Sequence, residues 1–204
     1  MMRRSSLVRI LAGLEPLVDP DPAREQVSTP PEAAAELLAL AVARDDLVGR
    51  IVADLGCGTG TLALGAALCG AREVTGIDAD GRALAVARRN AERLHLDFAP
   101  ASGEVESFGG RADTVVMNPP FGAQRRGADR PFWATADRVA RGSIYGFALA
   151  DSRSFIARWA VGRFRPITET RPIRWALPAI FPHHRRKSAR LAVDLWALGP
   201  AEPP

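Results

Sequence analysis

The chain has 204 residues, 47% hydrophobic and 25% charged, with a formal net charge of +4; this is close to the globular average and long enough to bury one sizeable core. Two cysteines, Cys57 and Cys69, exclude a disulfide scaffold and a CxxC zinc ribbon. No apolar run approaches the roughly 20 residues that span a bilayer, and the opening MMRRSSLVRILAGLEP lacks a signal-peptide core and cleavage site, so a cytoplasmic protein with no membrane partner is expected.

From Ile51 onward, strand-like and helix-like segments alternate, the pattern of an α/β fold with a parallel sheet covered by helices on both faces. One domain over residues 1–204 is expected, with residues 1–20 least defined and a frayed tail from Gly199 to Pro204. Thr29-Pro30-Pro31-Glu32 reads as a capping-box helix start, continued by an apolar face at Leu37, Leu38 and Ala41. Ile51–Leu55, Glu73–Ile77 and Asp113–Met117 are short apolar runs bounded by turn residues, as in buried parallel strands. Thr61–Leu68 reads as a helix, and Leu84, Ala87, Ala91 and Leu94 mark one face of another over Gly81–Leu94. Leu191–Leu198 alternates as a strand does.

Where the first strand turns into a helix lies Asp54-Leu55-Gly56-Cys57-Gly58-Thr59-Gly60. Gly56, Gly58 and Gly60 permit a sharp turn and close approach of a ligand to the backbone. The residue three after Gly58 is Thr61, so the dinucleotide pattern G-x-G-x-x-G fails, and no G-K-[ST] follows to make a Walker loop. Asp78, 18 residues past Gly60, ends the second strand, where a carboxylate can accept both hydroxyls of a ribose. Asp54 adds a negative charge that repels phosphate and attracts a sulfonium or ammonium group. Together these features favour S-adenosylmethionine over NAD.

After the third strand comes Asn118-Pro119-Pro120-Phe121. Two prolines stiffen the strand end and hold Asn118 at the carboxyl edge of the sheet. The Asn118 side-chain oxygen and the Pro119 carbonyl can accept both hydrogens of one exocyclic NH2, while Phe121 offers a stacking face. Such acceptors localise the nitrogen lone pair, which makes the amine a nucleophile for in-line methyl transfer without a strong base. Arg125, Arg126 and Arg130 follow at once, a cluster suited to phosphate beside the chemistry. His183 to Lys187 with Arg190 form a second basic cluster, whose histidines have no further ligand at metal spacing. Cys57 reads as a small packing residue of the turn, and Trp133, Trp159, Trp175 and Trp196 as core or partner surface.

With these motifs the chain resembles the Rossmann-like class I methyltransferases dependent on S-adenosylmethionine. More closely, it resembles the archaeal and eukaryotic family that methylates N6 of one adenosine in small-subunit ribosomal RNA. The similarity runs over about residues 20–198 and includes Glu25-Gln26, Thr29, Ala33-Ala34, Arg89-Asn90-Ala91-Glu92, Leu177-Pro178-Ala179 and Arg185-Arg186-Lys187-Ser188. The resemblance implies a mostly parallel seven-stranded sheet with an antiparallel C-terminal strand. It places Gln26 and Thr29 over the methionine part of the cofactor, Asp54 and Gly56 at its cationic portion, and Asp78 on the ribose. Glu104 falls near the residue that reads the cofactor adenine. Asn118, Pro119, Pro120 and Phe121 would take the target adenine, and Arg185, Arg186 and Lys187 would meet RNA phosphate. A small zinc-binding activator subunit that adds to a sheet edge is implied in the same way. Departures are Val27-Ser28, where the family has Tyr-Pro, and Ala148-Leu149 after Tyr145, where it has His-Lys. Transfer to guanine N2, to adenine in DNA or to a protein glutamine uses the same tetrapeptide and stays open, as does a non-catalytic RNA-binding assembly factor.

Overall fold

The computed structural model describes residues 2–98, 100–122, 125–176 and 190–202. In chain order the helices are α1 (Arg4–Ala12), α2 (Pro31–Ala43), α3 (Thr61–Leu68), α4 (Gly81–Arg93), α5 (Arg130–Val139) and α6 (Arg153–Val161), and the strands are β1 (Ile51–Leu55), β2 (Glu73–Asp78), β3 (Ala101–Ser102), β4 (Thr114–Met117), β5 (Ile144–Leu149), β6 (Ile167–Ala176) and β7 (Arg190–Leu198). They form one seven-stranded sheet in the order β3-β2-β1-β4-β5-β7-β6. Neighbours from β3 to β5 run parallel, whereas β7 is antiparallel to both β5 and β6. The sheet is thus the one expected, including its antiparallel C-terminal strand.

Side chains alternate across each strand and divide the core in two. Val52, Val116, Tyr145, Phe147, Val193 and Leu195 face α1 to α4, while Leu55, Val115, Met117, Ile144 and Trp196 face α5 and α6. From Val193 onward β7 is buried on both faces, and the set opposite Val193, Leu195 and Ala197 joins the apolar Trp196 and Leu198 to a buried carboxylate, Asp194, which pairs with Arg153. The strand order reverses at β1, between β2 and β4. The loops leaving those strands diverge there, and open α/β sheets hold their ligands in the crevice that results.

Some expectations are corrected. Helix α2 begins at Pro31 with Pro30 as its N-cap and no side-chain capping bond, so the capping box at Thr29 and Glu32 does not form. Thr29 is one residue too early to cap and is buried against the crevice instead. Residues 1–20 contribute α1, whose Leu7 and Leu11 are buried in the core. The start of the tail is tied down: the Gly199 amide donates to the Pro166 carbonyl and the Glu202 amide to the Phe164 carbonyl, both at 2.8 Å. Among the described residues, no helix is long and apolar enough to cross a membrane.

Arg165 is 4% exposed. Its guanidinium donates to Asp137 Oδ1 (2.7 Å) and to the carbonyls of Gly142 (2.9 Å), Gly199 (3.0 Å), Ala140 (3.1 Å) and Asp137 (3.3 Å). It joins the end of α5, the turn into β5 and the chain after β7. Replacing Arg165 by alanine strands these acceptors, and the expected loss is about 3–5 kcal/mol of unfolding free energy by urea titration. Arg163→Ala removes an exposed guanidinium 3.6 Å from the same carboxylate and is expected to cost less than about 1 kcal/mol.

Candidate active site

The loop after β1 is built on left-handed glycines, with φ of +73° at Gly56, +53° at Gly58 and +92° at Gly60. The amides of Gly56 and Cys57 donate to the Ile77 carbonyl (2.9 and 3.0 Å), which fastens the loop to β2. A Cβ on Gly56 would lie 2.7 Å from Phe132 Cε1, so the position admits only glycine while that ring is in place. Cys57 is buried, and burial pushes its thiol well above the ordinary range, consistent with packing rather than nucleophilic use.

The turn returns the start of α3 to Asp54. The Ala63 amide donates to Asp54 Oδ2 (2.9 Å), while Oδ1 is buried with no hydrogen-bond partner. Burial pushes this carboxyl up to about 8; the Ala63 bond opposes the shift and the charge of Asp78 adds to it. A cation brought beside Oδ1 would reverse much of that penalty.

Asp78, at the end of β2, accepts the Gly58 amide on Oδ2 (2.8 Å) and the Asp80 amide on Oδ1 (2.9 Å). Each oxygen keeps lone-pair capacity toward the crevice, as a ribose diol requires. Asp80 caps α4, accepting from the Arg82 amide, and is held well below the usual carboxylate range by the Arg82 guanidinium and then by Gln26. Gln26 donates from Nε2 to Asp80 Oδ2 (2.8 Å) and accepts the Asp21 amide on Oε1 (2.7 Å). Its amide therefore holds the segment Asp21–Thr29 as a strap along one wall. Glu104 is an exposed residue of the opposite rim, next to Gly103, whose amide donates to the Asp78 carbonyl (3.0 Å).

Asn118 follows β4 directly. Its Nδ2 donates to the Val27 carbonyl of the strap (3.1 Å), and its Oδ1 is buried without a partner. Pro119 is buried and Pro120 lines the crevice. Phe121 stands beside the crevice rather than in its wall, edge-on to Trp175 at 5.4 Å, and Trp175 is in turn edge-on to Phe147 at 5.0 Å. Arg125, Arg126 and Arg130 are exposed along the mouth, with the Arg130 guanidinium 5.0 Å above the Phe155 ring. His183, His184, Arg185, Arg186 and Lys187 lie outside the described residues.

Gln26, Thr29, Asp54, Gly56, Gly58, Asp78, Glu104, Asn118 and Pro120 all border a single crevice of about 520 Å³, within the range of small-molecule sites. Gly60 lies just behind it as the N-cap of α3. Phe132 and Glu25 also line the crevice. The sequence alone assigns neither a role of its own, because each acts through a contact distant in sequence. A crevice of this size fits S-adenosylmethionine, with a buried carboxylate oxygen lacking a donor, a free-edged acid at the second strand and glycines where a ligand needs the backbone.

Sheet order and site together define a class I methyltransferase dependent on S-adenosylmethionine. Residues 30–139 match the methyltransferase small domain family. The rRNA N(6)-adenosine-methyltransferase METTL5 of Danio rerio is 33% identical over 98% of this chain and 100% of its own length. Mettl5 of Drosophila melanogaster, which carries the same description, is 30% identical over 96% and 95%. The crystal structure of PH1948 from Pyrococcus horikoshii, a protein proposed to be an RNA methyltransferase, superposes with a TM-score of 0.92 at 37% identity, covering 99% of this chain and 100% of that one. The chain belongs to the methyltransferase small domain family and, within it, groups over its full length with the METTL5 proteins.

Because the Asp54 carboxyl titrates near 8 in the fold and near 3.8 when unfolded, the native state holds a proton that the unfolded chain has lost between those values. Stability of the donor-free protein should therefore fall as pH rises across this window, by up to about 1.4 kcal/mol per pH unit. Asp54→Asn stays neutral, so its unfolding free energy by urea titration should lack this component of the slope. Parallel pH profiles for the two proteins would refute the assignment.

Proposed function

We propose that this methyltransferase acts on ribosomal RNA in the cytoplasm, transferring a methyl group to N6 of an adenosine of the small subunit. The carrying observation is that two buried acceptor oxygens without partners, Asp54 Oδ1 and Asn118 Oδ1, serve one crevice. An unpartnered buried acceptor is costly unless a ligand supplies its donor. When bound, S-adenosylmethionine supplies an electrophilic methyl carbon on its cationic sulfur. Asp54 would compensate the positive charge of the donor, Asp78 would hold its ribose, and Gln26, Thr29 and Glu104 would border the rest.

On the acceptor side, Asn118 Oδ1 and the Pro119 carbonyl would take the two hydrogens of the adenine amino group. They would draw electron density toward the nitrogen and aim its lone pair in line. A base must leave its stack to reach this point. Phe121, backed by Trp175, would receive it, and Arg125, Arg126 and Arg130 would hold neighbouring phosphates, as would Arg185, Arg186 and Lys187. The proton leaves after attack, so no strong base is required of the chain. The arginines at the mouth favour a nucleic acid over a glutamine, and the full-length METTL5 relatives favour RNA over DNA.

A small zinc-binding activator subunit that adds a strand would fit the β3 edge. That edge is two exposed residues with open backbone, whereas β6 carries Pro172 and the charges of Glu169, Arg171 and Arg174.

The test is labelled methyl transfer to small-subunit RNA, with and without an activator subunit, followed by mass analysis of nucleosides. N6-methyladenosine is expected; label in N2-methylguanosine, or no label despite donor binding, would overturn the reading. Asn118→Ala should lower transfer at least about 100-fold with donor affinity nearly unchanged, and Asp78→Ala should weaken donor binding first. Neutralising Arg125, Arg126 and Arg130 together should flatten the salt dependence of RNA binding by about one unit of slope per lost phosphate contact.

A further inference from the structure

We propose that Glu25 is a positioning residue: its carboxylate fastens the strap to the loop after β4 and so fixes which end of the Asn118 amide faces the substrate. This rests on the reading that Asn118 receives the substrate amine. The two ends of an asparagine amide have nearly the same shape and opposite polarity. With Oδ1 toward the crevice, an amino group meets an acceptor; with the amide turned over, two donors face two donors. The Val27 carbonyl accepts Nδ2 at 3.1 Å, which leaves Oδ1 as the end that is buried and without a partner.

That arrangement lasts only while Val27 stays over Asn118. The strap around Val27 belongs to no helix or strand, and side chains hold it on both sides. Toward the cofactor side, Gln26 donates to Asp80. Toward the acceptor loop, Glu25 accepts the Gly122 amide on Oε2 (2.8 Å) and the Arg125 amide on Oε1 (3.4 Å). A left-handed backbone at Glu25 (φ 49°) and a bond from the Val27 amide to the Glu25 carbonyl (2.7 Å) make a tight turn. The turn sets the Glu25 carboxylate and the Val27 carbonyl on the same loop, one at Gly122 and the other at Asn118. A carboxylate that accepts backbone amides makes the stronger, charge-assisted kind of hydrogen bond. The strap is therefore divided in its work: Gln26 serves the donor side, and Glu25 serves the polarity of the acceptor site.

The experiment uses the full chain and compares wild type, Glu25→Ala and Glu25→Gln. Calorimetry gives the dissociation constant of S-adenosylmethionine, single-turnover transfer to small-subunit RNA gives the rate, and amide hydrogen exchange gives the protection of Gly122. Glu25→Ala is expected to change donor affinity by less than about three-fold, slow transfer by about ten- to a hundred-fold and speed exchange at Gly122. Glu25→Gln keeps one acceptor oxygen for the Gly122 amide while turning its NH2 to the longer Arg125 contact, and is expected to recover most of the rate that Glu25→Ala loses. An unchanged rate in Glu25→Ala, a donor affinity that falls in step with the rate, or failure of Glu25→Gln to restore it would overturn the proposal. Asn118→Ala in the same assay separates the two levels. If it is inactive while Glu25→Ala behaves as wild type, only the positioning role is lost; if it is fully active, the reading of Asn118 is lost with it.

Discussion

At the end of a buried strand, Asp54 places a carboxyl that the fold satisfies on one oxygen only, through the Ala63 amide. Most of the crevice follows from placing that carboxylate there. The chain must leave β1, double back and start a helix whose first turn reaches the acid, and three residues of the turn take left-handed backbone that glycine adopts without strain. Folding the turn down onto the Ile77 carbonyl brings Gly58 to Asp78, so the two acids at the ends of neighbouring parallel strands are set by one continuous network. The cost of desolvating Asp54 is retained in the donor-free protein and becomes binding energy when a cation arrives, a familiar compromise between stability and function.

The acceptor side uses the opposite strategy. Asn118 is neutral, and its usefulness depends on orientation rather than charge, so the fold invests in stiffness: two prolines behind it, a carbonyl from the strap above it and an aromatic series of Phe121, Trp175 and Phe147 beyond it. The strap touches both halves, through Asp80 on one side and Gly122 on the other. One segment therefore borders both sites, with a separate side chain fastening it on each side.

What could be read from the sequence was whatever is encoded within a few residues. The glycine loop, Asp78 at the close of β2 and Asn118 at the close of β4 each announce themselves by a local pattern, and Thr61–Leu68 is a helix with the expected bounds. The contacts that complete the site are distant: Gln26 meets a partner 54 residues away and Glu25 one 97 residues away. No spacing rule encodes such a pairing. At Thr29 the local rule misled, because Pro30 and Pro31 shift the helix start by one residue and release the threonine to the crevice. Strand β6 was obscure for the reason that suits it to an edge, with Glu169, Arg171, Pro172 and Arg174 breaking its apolar run. Arg165 gave no sign of being an internal clamp, since arginine is normally a surface residue.

Strand β7, the last of these strands in chain order, lies between β5 and β6 rather than at the margin of the sheet. Until it emerges, β5 has one side unpaired and β6 has no neighbour, and the Arg165 guanidinium lacks its acceptor at Gly199. The parallel half, with the glycine loop and both acids, can be assembled first, but the remainder must wait for β7 to be made. Nascent chains that stall or end early would then display the flanks of two open strands, the kind of surface that chaperones retain and proteases remove.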